Sequence, residues 1–151
     1  MIVFKREFYD DVVEDIKPLI LEHWNEIALH KDKILLNPDF RRYKLIENSG
    51  KLTIITARKE TELVGYSIFF LGEHIHYKHC FVATNDVLFL TKKERKGSCG
   101  IRLIKESERI LKELGAKRLL FHVKPNKDFS PILARCGYVV EEIIMGKLLG
   151  D

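Results

Sequence analysis

Apolar side chains recur every three or four positions along residues 8–29, a spacing that predicts an amphipathic helix. They are Val12, Ile16, Leu19, Ile20, Trp24 and Ile27. Pro18 lies inside this stretch and predicts a kink or a break near Lys17. A second, shorter helix is predicted over 38–48, because Pro38 suits a first helical turn.

From residue 51 onward the pattern becomes that of strands. The segments KLTIITARK, ELVGYSIFFL and HCFVATNDVLFL are rich in β-branched and aromatic residues. They predict strands over 51–59, 62–71 and 79–90, the first two joined by a short hairpin. The later elements are a helix, a strand, a short helix and one or two strands, predicted over 99–114, 116–123, 127–136 and 138–149.

A β–α–β segment joins parallel strands through a crossover, so the predicted order requires a mixed sheet with helices on both faces. No repeat, low-complexity segment or Pro/Gly-rich linker divides the chain. We therefore expect one domain over residues 1–151, with an α/β (α+β) fold.

Composition narrows the class of protein. Hydrophobic residues make up 46% of the 151 residues and charged residues 32%, which is a globular composition. No run of about 18 apolar residues predicts a membrane span, and the start, MIVFKREFYDD, is too acidic for a signal peptide. We expect a cytoplasmic protein with no membrane partner. The three scattered cysteines predict reduced thiols, with neither a disulfide framework nor a CxxC metal pair.

Basic charge is concentrated in one part of the chain. Residues 91–124 contain eleven Lys/Arg and four Asp/Glu, a net charge of +7, whereas the whole chain has +4. This concentration indicates a phosphate-bearing partner, either nucleic acid or a phosphorylated cofactor.

The segment Arg95-Lys96-Gly97-Ser98-Cys99-Gly100 lies between a predicted strand and a predicted helix. Glycines let a ligand approach the main chain closely, and the first N–H groups of a helix lack internal partners and carry partial positive charge. A pyrophosphate suits such a turn. The alternative is a plain loop with a solvated basic rim. Cys99 at the helix start would have a lowered thiol pKa, but no Cys/His pair supports a nucleophilic role.

The stretch DVLFLTKKERKGSCGIRLI resembles the acetyl-CoA-binding motif of the GNAT N-acetyltransferase superfamily, Q/R-x-x-G-x-G/A. Arg95 matches its first position and Gly100 its last. Ser98 stands at the middle glycine and Gly97 one residue earlier, a variant R-x-G-x-x-G pattern seen in bacteriophage-type GNAT proteins. The closest similarity is to small phage or prophage members of the superfamily.

A second stretch, VKPNKDFSPILARCGY, resembles the GNAT signature N-x-x-A-x-x-L-Y-E-K-L-G-F. Asn126, Gly137 and Tyr138 match, whereas Phe129 replaces the alanine. Leu133 falls where the family often has the tyrosine that protonates the departing thiolate. The resemblance covers nearly the full chain and implies a GNAT-like, mixed, mostly antiparallel central sheet of six to seven strands, in the order roughly ααβββαβαββ.

The resemblance implies an acetyl-CoA-dependent N-acetyltransferase that moves an acetyl group to a primary amine by direct attack in a ternary complex. The pantetheine arm would bind main-chain groups of Leu88, Phe89 and Leu90, and Asn126 would lie near the pantetheine or the thiol. The pyrophosphate would bind the turn formed by Arg95, Lys96, Gly97, Ser98, Cys99, Gly100 and Ile101.

Catalytic candidates follow from the needs of amine acetylation. Asp86 is the candidate general base or water-orienting group. The alternative is that it accepts a hydrogen bond at the strand edge. Strand alternation predicts that the side chains of Thr84, Asp86, Leu88 and Leu90 lie on the same face of the sheet. His76 lies in the histidine-rich stretch EHIHYKHC and is a candidate general base or metal ligand. The alternative is that it is a polar residue on the protein surface. Tyr138 or Tyr66 would supply the missing acid, or else pack in the core.

Two other hypotheses for the function of the chain remain. One is a catalytically inactive GNAT-fold protein that binds CoA, nucleic acid or a host protein. The other is a nucleic-acid-binding module that uses the basic segment 91–124. We expect an acceptor amine carried by a small molecule or a protein, and a dimer is a candidate oligomeric state.

Overall fold

The computed structural model describes residues 1–150. Its strands are β1 (Ile2–Glu7), β2 (Leu52–Lys59), β3 (Glu62–His74), β4 (Tyr77–Leu90) and β5 (Arg118–Leu120). Its helices are α1 (Tyr9–Ile27), α2 (Phe40–Asn48), α3 (Cys99–Glu113) and α4 (Ser130–Arg135). Single turns of 3-10 helix occur at Lys92–Glu94 and Pro125–Lys127.

The five strands form one sheet in the order β1-β2-β3-β4-β5. The first four are antiparallel neighbours, and β5 is parallel to β4 because α3 crosses over between them. The prediction of a mixed, mostly antiparallel sheet is confirmed. The predicted count of six to seven strands is wrong for residues 1–150.

Two segments account for the error in the strand count. The edge strand β1 was missed because half of its residues, Lys5, Arg6 and Glu7, are charged and weaken the apolar alternation. The segment 138–149 was predicted as one or two strands but forms none. Its β-branched residues match the strand pattern, but a strand also needs a hydrogen-bonded neighbour, and β5 has only three residues.

The helix α1 continues without a break through Pro18, so the predicted break near Lys17 is wrong. Proline removes one intrahelical hydrogen bond, whose acceptor would be the carbonyl of Glu14. Glu14 and Pro18 both lie on the exposed side of α1, where water can reach that carbonyl.

Helices cover both faces of the sheet, as predicted. On one face, Val12 and Ile16 of α1 pack with Ile54, Tyr66 and other strand residues, and side chains of α2 join them. On the other face, α3 contributes Leu103, Ile110 and Leu111 to a second cluster. The Oγ atoms of Ser67 and Ser107 are 2.9 Å apart and buried, which joins β3 to α3 by a hydrogen bond.

Gly65 allows β3 and β4 to pack closely beside the site described below. A Cβ at this position would lie 2.3 Å from Leu90 Cδ2 and 2.7 Å from the Phe89 carbonyl oxygen. We expect Gly65→Ala to lower the free energy of unfolding by about 1–3 kcal/mol through overpacking, measured by urea denaturation. Gly72→Ala in the same strand is the control, since its Cβ would meet nothing within 4 Å. Equal losses in the two variants would contradict this account.

Candidate active site

The strands β4 and β5 separate shortly after they begin to pair. Their pairing covers only Val82–Thr84 with Arg118–Leu120. On its other edge, β4 stays paired with β3 as far as Leu90. A gap between β4 and β5 therefore opens along residues 85–90, and one edge of β4 faces it.

Hydrogen-bond alternation determines which main-chain groups face this gap. The Thr91 N–H donates to the Val64 carbonyl of β3 at 2.9 Å. Since main-chain groups of successive residues point to opposite edges of a strand, those of Leu88 and Leu90 point into the gap. The main-chain groups of Phe89 point away from the gap, toward β3, where Phe89 pairs with Tyr66. The geometry fits the predicted roles of Leu88 and Leu90 and argues against that of Phe89.

The turn after β4 ends at the N-terminus of α3, next to this gap. Gly97 has φ +81°, a left-handed conformation that favours glycine. Arg102 N–H donates to the Ser98 carbonyl at 2.9 Å, so the N–H groups of Cys99, Gly100 and Ile101 precede the first helical hydrogen bond. The turn therefore presents main-chain donors and the positive end of a helix.

Arg95 connects the turn to the end of α1. Its guanidinium donates two hydrogen bonds to the Glu26 carboxylate, at 2.8 and 2.9 Å, and its Nε donates to the Leu90 carbonyl at 2.8 Å. The hydrogen bond from Arg95 holds the pKa of Glu26 below its usual value. Arg95 was predicted as a phosphate ligand, but the structure engages it in holding α1 against the end of β4.

Some of the other basic side chains of residues 91–124 also have partners. Ion pairs join Lys105 to Glu108, Arg109 to Glu106 and Glu113, and Arg118 to Glu141. Arg102 lies over the Phe4 ring, 4.7 Å from its centroid. By contrast, six exposed lysines form no ion pair with residues 1–150: Lys92, Lys93, Lys96, Lys112, Lys117 and Lys124. The first three flank the turn and leave positive charge beside it.

Cys99, at the start of α3, is buried. Burial raises the pKa of its thiol, and the charge of Glu94 adds to this rise. The expectation of a lowered thiol pKa is therefore wrong, because burial outweighs the effect of the positive helix end. Cys99 remains part of the turn through its main chain.

Asp86 is the extra residue of a β-bulge in β4. Ile68 of β3 pairs with Val87, and the next residue, Phe69, pairs with Asn85. The buried Asn85 amide stabilises the bulge by donating to the Ile68 and Val87 carbonyls, at 3.2 and 2.8 Å. Bulges redirect side chains and are common next to active sites.

This bulge changes the predicted alternation of side chains. Leu88 and Leu90 pack with the cluster under α3, whereas Asp86 contacts Tyr43 of α2 on the opposite face of the sheet. The prediction of one face for Asp86, Leu88 and Leu90 is therefore wrong. One additional residue in a strand reverses the faces of all residues that follow it.

The Asp86 carboxylate accepts a 2.5 Å hydrogen bond from the Tyr43 hydroxyl. Partial desolvation raises the pKa of Asp86, while the Tyr43 hydrogen bond and the nearby His122 oppose that rise. The residue remains exposed to solvent, so its carboxylate lies in an open depression where water reaches it but its hydration is incomplete. Such a group can exchange protons with a bound molecule.

A cavity of about 470 Å³ lies beside Tyr43, the residue that donates the hydrogen bond to this carboxylate. It is lined by Asp39, Arg42, Tyr43, Ile46 and Phe70. The rings of Tyr43 and Phe70 stack at 6.1 Å, and Phe70 pairs with Thr84, two residues before Asp86. The cavity therefore lies between α2 and the sheet, on the same face as Asp86.

Two residues near Asp86 were not found from the sequence. Tyr43 belongs to α2, 43 positions away in the chain, and His122 follows β5 where it leaves β4. Neither belongs to a recognisable motif, and only the proximity of the elements relates them to Asp86.

Other predicted catalytic residues lie elsewhere. His76 occupies the tip of the β3–β4 hairpin, about 30 Å along β4 from Asp86 at strand rise, so its proposed catalytic role is not supported. The Tyr138 ring packs edge-to-face on Phe121, 5.2 Å between centroids, beside the α3 cluster. Burial and the adjacent Glu108 raise the pKa of Tyr138, which makes it a weaker acid than a free tyrosine.

Tyr66 and Asn126 occupy different surroundings. The Tyr66 hydroxyl is buried on the α1/α2 face with no hydrogen-bond partner among the described residues. The Asn126 amide donates to the Ile27 carbonyl at the end of α1, at 3.4 Å. Asn126 therefore lies near the α1 terminus that Arg95 also holds.

His23 gives this end of α1 a pH-dependent contribution to stability. Its ring lies 5.3 Å from that of Phe89, and burial lowers its pKa from 6.5 to about 4. Between these values the unfolded chain binds a proton that the folded chain does not, so acidification through this window destabilises the fold.

We expect the unfolding free energy of the wild type, relative to His23→Gln, to fall by about 1–2 kcal/mol between about pH 7 and about pH 4.5. Urea denaturation of both proteins at the two pH values measures it, and other titrating groups cancel in the difference. A difference that does not change with pH would contradict the lowered pKa of His23.

Across residues 1–150, no group of three or more His, Cys, Asp or Glu side chains is arranged to hold a metal ion. Within the same range, no helix is both long enough and apolar enough to span a membrane.

The chain matches no protein-family model and no curated protein sequence, but its fold is found in solved acetyltransferases. An aminoglycoside acetyltransferase from an uncultured soil metagenomic sample, in complex with sisomicin, has a TM-score of 0.76 at 15% identity, over 99% of this chain and 97% of that chain. Glucosamine-6-phosphate N-acetyltransferase from Arabidopsis thaliana has a TM-score of 0.73 at 12% identity, over 99% of each chain.

A predicted acetyltransferase with acetyl-CoA from Clostridium acetobutylicum has a TM-score of 0.70 at 11% identity, over 98% of this chain and 96% of that chain. At these identities the likeness establishes a shared fold, that of GNAT acetyltransferases. The similarity to small phage proteins stays a prediction.

Proposed function

We propose that this protein is an acetyl-CoA-dependent N-acetyltransferase that transfers an acetyl group to a primary amine in a ternary complex. The observation that carries the proposal is the gap between β4 and β5, which opens next to the N-terminus of α3. The shared fold with acetyltransferases supports the same activity.

The residues around the gap fit the two chemical parts of acetyl-CoA. The N–H and C=O of Leu88 and the N–H of Leu90 would pair with the amides of the pantetheine arm, as a neighbouring strand would, while the Leu90 carbonyl is held by Arg95. The main-chain donors of Cys99, Gly100 and Ile101 would bind the pyrophosphate. Lys92, Lys93 and Lys96 add positive charge for the phosphates, while Arg95 keeps the turn in place.

Asp86 and the cavity under α2 supply the acceptor side. Acetyl-CoA supplies the thioester, and an amine in the cavity would attack its carbonyl carbon, forming a C–N bond as the C–S bond breaks. The nitrogen proton passes to the Asp86 carboxylate, directly or through one water. Tyr43 orients that carboxylate through its 2.5 Å hydrogen bond. A Leu88 or Leu90 N–H can stabilise the developing negative charge on the carbonyl oxygen.

The thiolate then needs a proton. Leu133 is a buried aliphatic side chain and offers none, and the raised pKa of Tyr138 makes that hydroxyl a poor donor. We therefore assign the proton to water in the open gap, and the proton held by Asp86 neutralises the hydroxide that remains, which returns Asp86 to its carboxylate form.

The cavity bounds the size of the acceptor. A volume of about 470 Å³ lies within the range of small-molecule sites. Two of the proteins with this fold are named for amine-bearing acceptors, an aminoglycoside and glucosamine-6-phosphate. We propose a small amine-bearing molecule as acceptor for this chain.

Calorimetric titration with acetyl-CoA, with CoA as the control ligand, tests the cofactor assignment. We expect saturable binding of acetyl-CoA at one molecule per chain, and binding of CoA because both contain the pyrophosphate. The absence of binding at millimolar ligand would refute the enzyme assignment. Thiol release in the presence of aminoglycosides, amino sugars and polyamines then identifies the acceptor.

A further inference from the structure

His122 borders the narrow end of the gap between β4 and β5, on the side of β5. The last pair of these parallel strands is Thr84 with Leu120. Continued by two positions along each chain, this register places His122 beside Asp86. The two side chains therefore flank the point at which the strands separate.

The packing of β5 shows which face of the sheet carries His122. Leu119 and Phe121 both belong to the cluster under α3, so the alternation of side chains continues beyond the end of β5. Alternation then directs His122 to the opposite face. This is the face on which Asp86 contacts Tyr43, so the two side chains share one side of the sheet.

A ring contact keeps this part of the chain level with the bulge in β4. The Phe121 ring lies edge-to-face on that of Phe69, 5.5 Å between centroids. Phe69 pairs with Asn85, the residue before Asp86. The His122 side chain is exposed, and its charge opposes the rise in the pKa of Asp86. The two groups therefore act on each other across a mouth that water can enter.

The sulfur of acetyl-CoA would lie at the same place, an inference that rests on the proposed function. The pyrophosphate would bind at the start of α3, which follows the end of β4. The pantetheine arm would extend from there past Leu90 and Leu88, toward the point where β4 and β5 meet. Asp86 is two residues beyond Leu88, about 7 Å at strand rise. His122 faces that point from the other strand.

We propose that His122 relays the proton held by Asp86 to the water that protonates the departing thiolate. A neutral imidazole has one nitrogen that accepts a proton and one that donates a proton, which suits it to this transfer. Asp86 and the sulfur stand on different sides of the mouth, and His122 bridges the two.

The proton count closes. The electron pair of the broken C–S bond stays on sulfur and forms an S–H bond with a proton from water. The remaining hydroxide takes the N–H proton of His122, while the other ring nitrogen takes the proton from the Asp86 carboxyl group. Asp86 returns to its carboxylate form, and the imidazole is neutral again in its second tautomer, which exchange with solvent resets.

His122→Ala tests the relay. The readout is thiol release from acetyl-CoA, with glucosamine, sisomicin and spermidine as acceptor amines. We expect kcat to fall by roughly 10–100-fold, the lower part of the range for proton transfer by a side chain, because water can replace the relay slowly. The Kd for acetyl-CoA should stay within about threefold of the wild type. His79→Ala is the matched control, since His79 is exposed and lies seven residues before Asp86 in β4.

Added imidazole separates proton transfer from a structural role. It should restore most of the lost turnover in His122→Ala, since the vacated position is open to solvent, and should leave the wild type and His79→Ala unchanged. His122→Gln is the second variant. Its amide keeps a hydrogen-bonding group but cannot relay a proton, so it should be as slow as His122→Ala.

Three results would overturn the relay: full turnover in His122→Ala, full turnover in His122→Gln, or no recovery with imidazole. Calorimetry on the same proteins distinguishes this failure from failure of the proposed function. If the wild type binds acetyl-CoA and releases thiol while His122→Ala is equally fast, only the relay fails. If the wild type does not bind acetyl-CoA, both proposals fail.

Discussion

Asp86→Asn is expected to lower kcat by about 10²–10⁴-fold, the usual contribution of a general base. The amide has nearly the shape of the carboxylate and can still accept the hydrogen bond from Tyr43, so the bulge and the cavity should persist. The Kd for acetyl-CoA, measured by calorimetry, should change by less than about threefold, because Asp86 lies on the acceptor side of β4.

The pH profile adds a readout that a purely structural role would not produce. A base must be ionised to accept a proton, and the pKa of Asp86 is raised. The kcat/KM of the wild type should therefore fall as the pH drops through a value above the ordinary aspartate range of about 3.9. In Asp86→Asn this acid limb should disappear.

The control is Asp32→Asn, which makes the same chemical change in an exposed loop after α1. Its turnover should equal that of the wild type. If Asp86→Asn keeps full turnover with an intact acid limb, Asp86 is not the base. The nearby His122 would then be the next candidate.

Gly100→Asp is expected to weaken acetyl-CoA binding by at least about 100-fold, because two charge-assisted hydrogen bonds of about 1.5 kcal/mol or more each would be lost. The new carboxylate would compete with the pyrophosphate for the donors at the start of α3. It should not unfold the protein, since an acidic side chain in the first turn of a helix is favourable. Calorimetric titration measures the binding, and thermal unfolding confirms the fold.

Gly100→Ala separates charge from size. An added Cβ would lie 3.7 Å from Leu90 Cδ1, an ordinary contact, and Gly100 does not need a left-handed backbone. We expect Gly100→Ala to bind acetyl-CoA within about fivefold of the wild type, well short of the loss for the charged variant. Equal binding by Gly100→Asp and the wild type would refute the pyrophosphate assignment. Equal losses in both variants would mean that bulk, and not charge, excludes the ligand.

The order of elements from α1 to α4 follows from local sequence. Helical spacing and β-branched runs depend on residues a few positions apart, so α3 and β2 begin within one residue of their predicted starts. The turn that contains Gly97 could also be predicted from the sequence. A glycine with a left-handed backbone before a helix depends only on neighbouring residues. The turn that the motif resemblance singled out lies next to the gap in the sheet, and its role in binding a cofactor stays a proposal.

The details of the candidate site depend on contacts between distant residues. The bulge at Asp86 is stabilised by the Asn85 amide and a β3 carbonyl, and it reverses the faces that alternation predicts. Arg95 pairs with Glu26, 69 positions away, and Tyr43 reaches Asp86 from α2. None of these partners follows from spacing along the chain.

The number of strands also depends partly on local sequence and partly on contacts between distant residues. Local pattern identifies residues 138–149 as able to form a strand and overlooks the charged β1, but a strand forms only where a neighbour supplies hydrogen bonds. The sequence therefore determined the helices, the central strands β2 to β4 and the position of the glycine turn before α3, because those properties are local. Tertiary structure decided which strands pair, which face carries Asp86 and which charges are neutralised, because each depends on a partner that packing brings close.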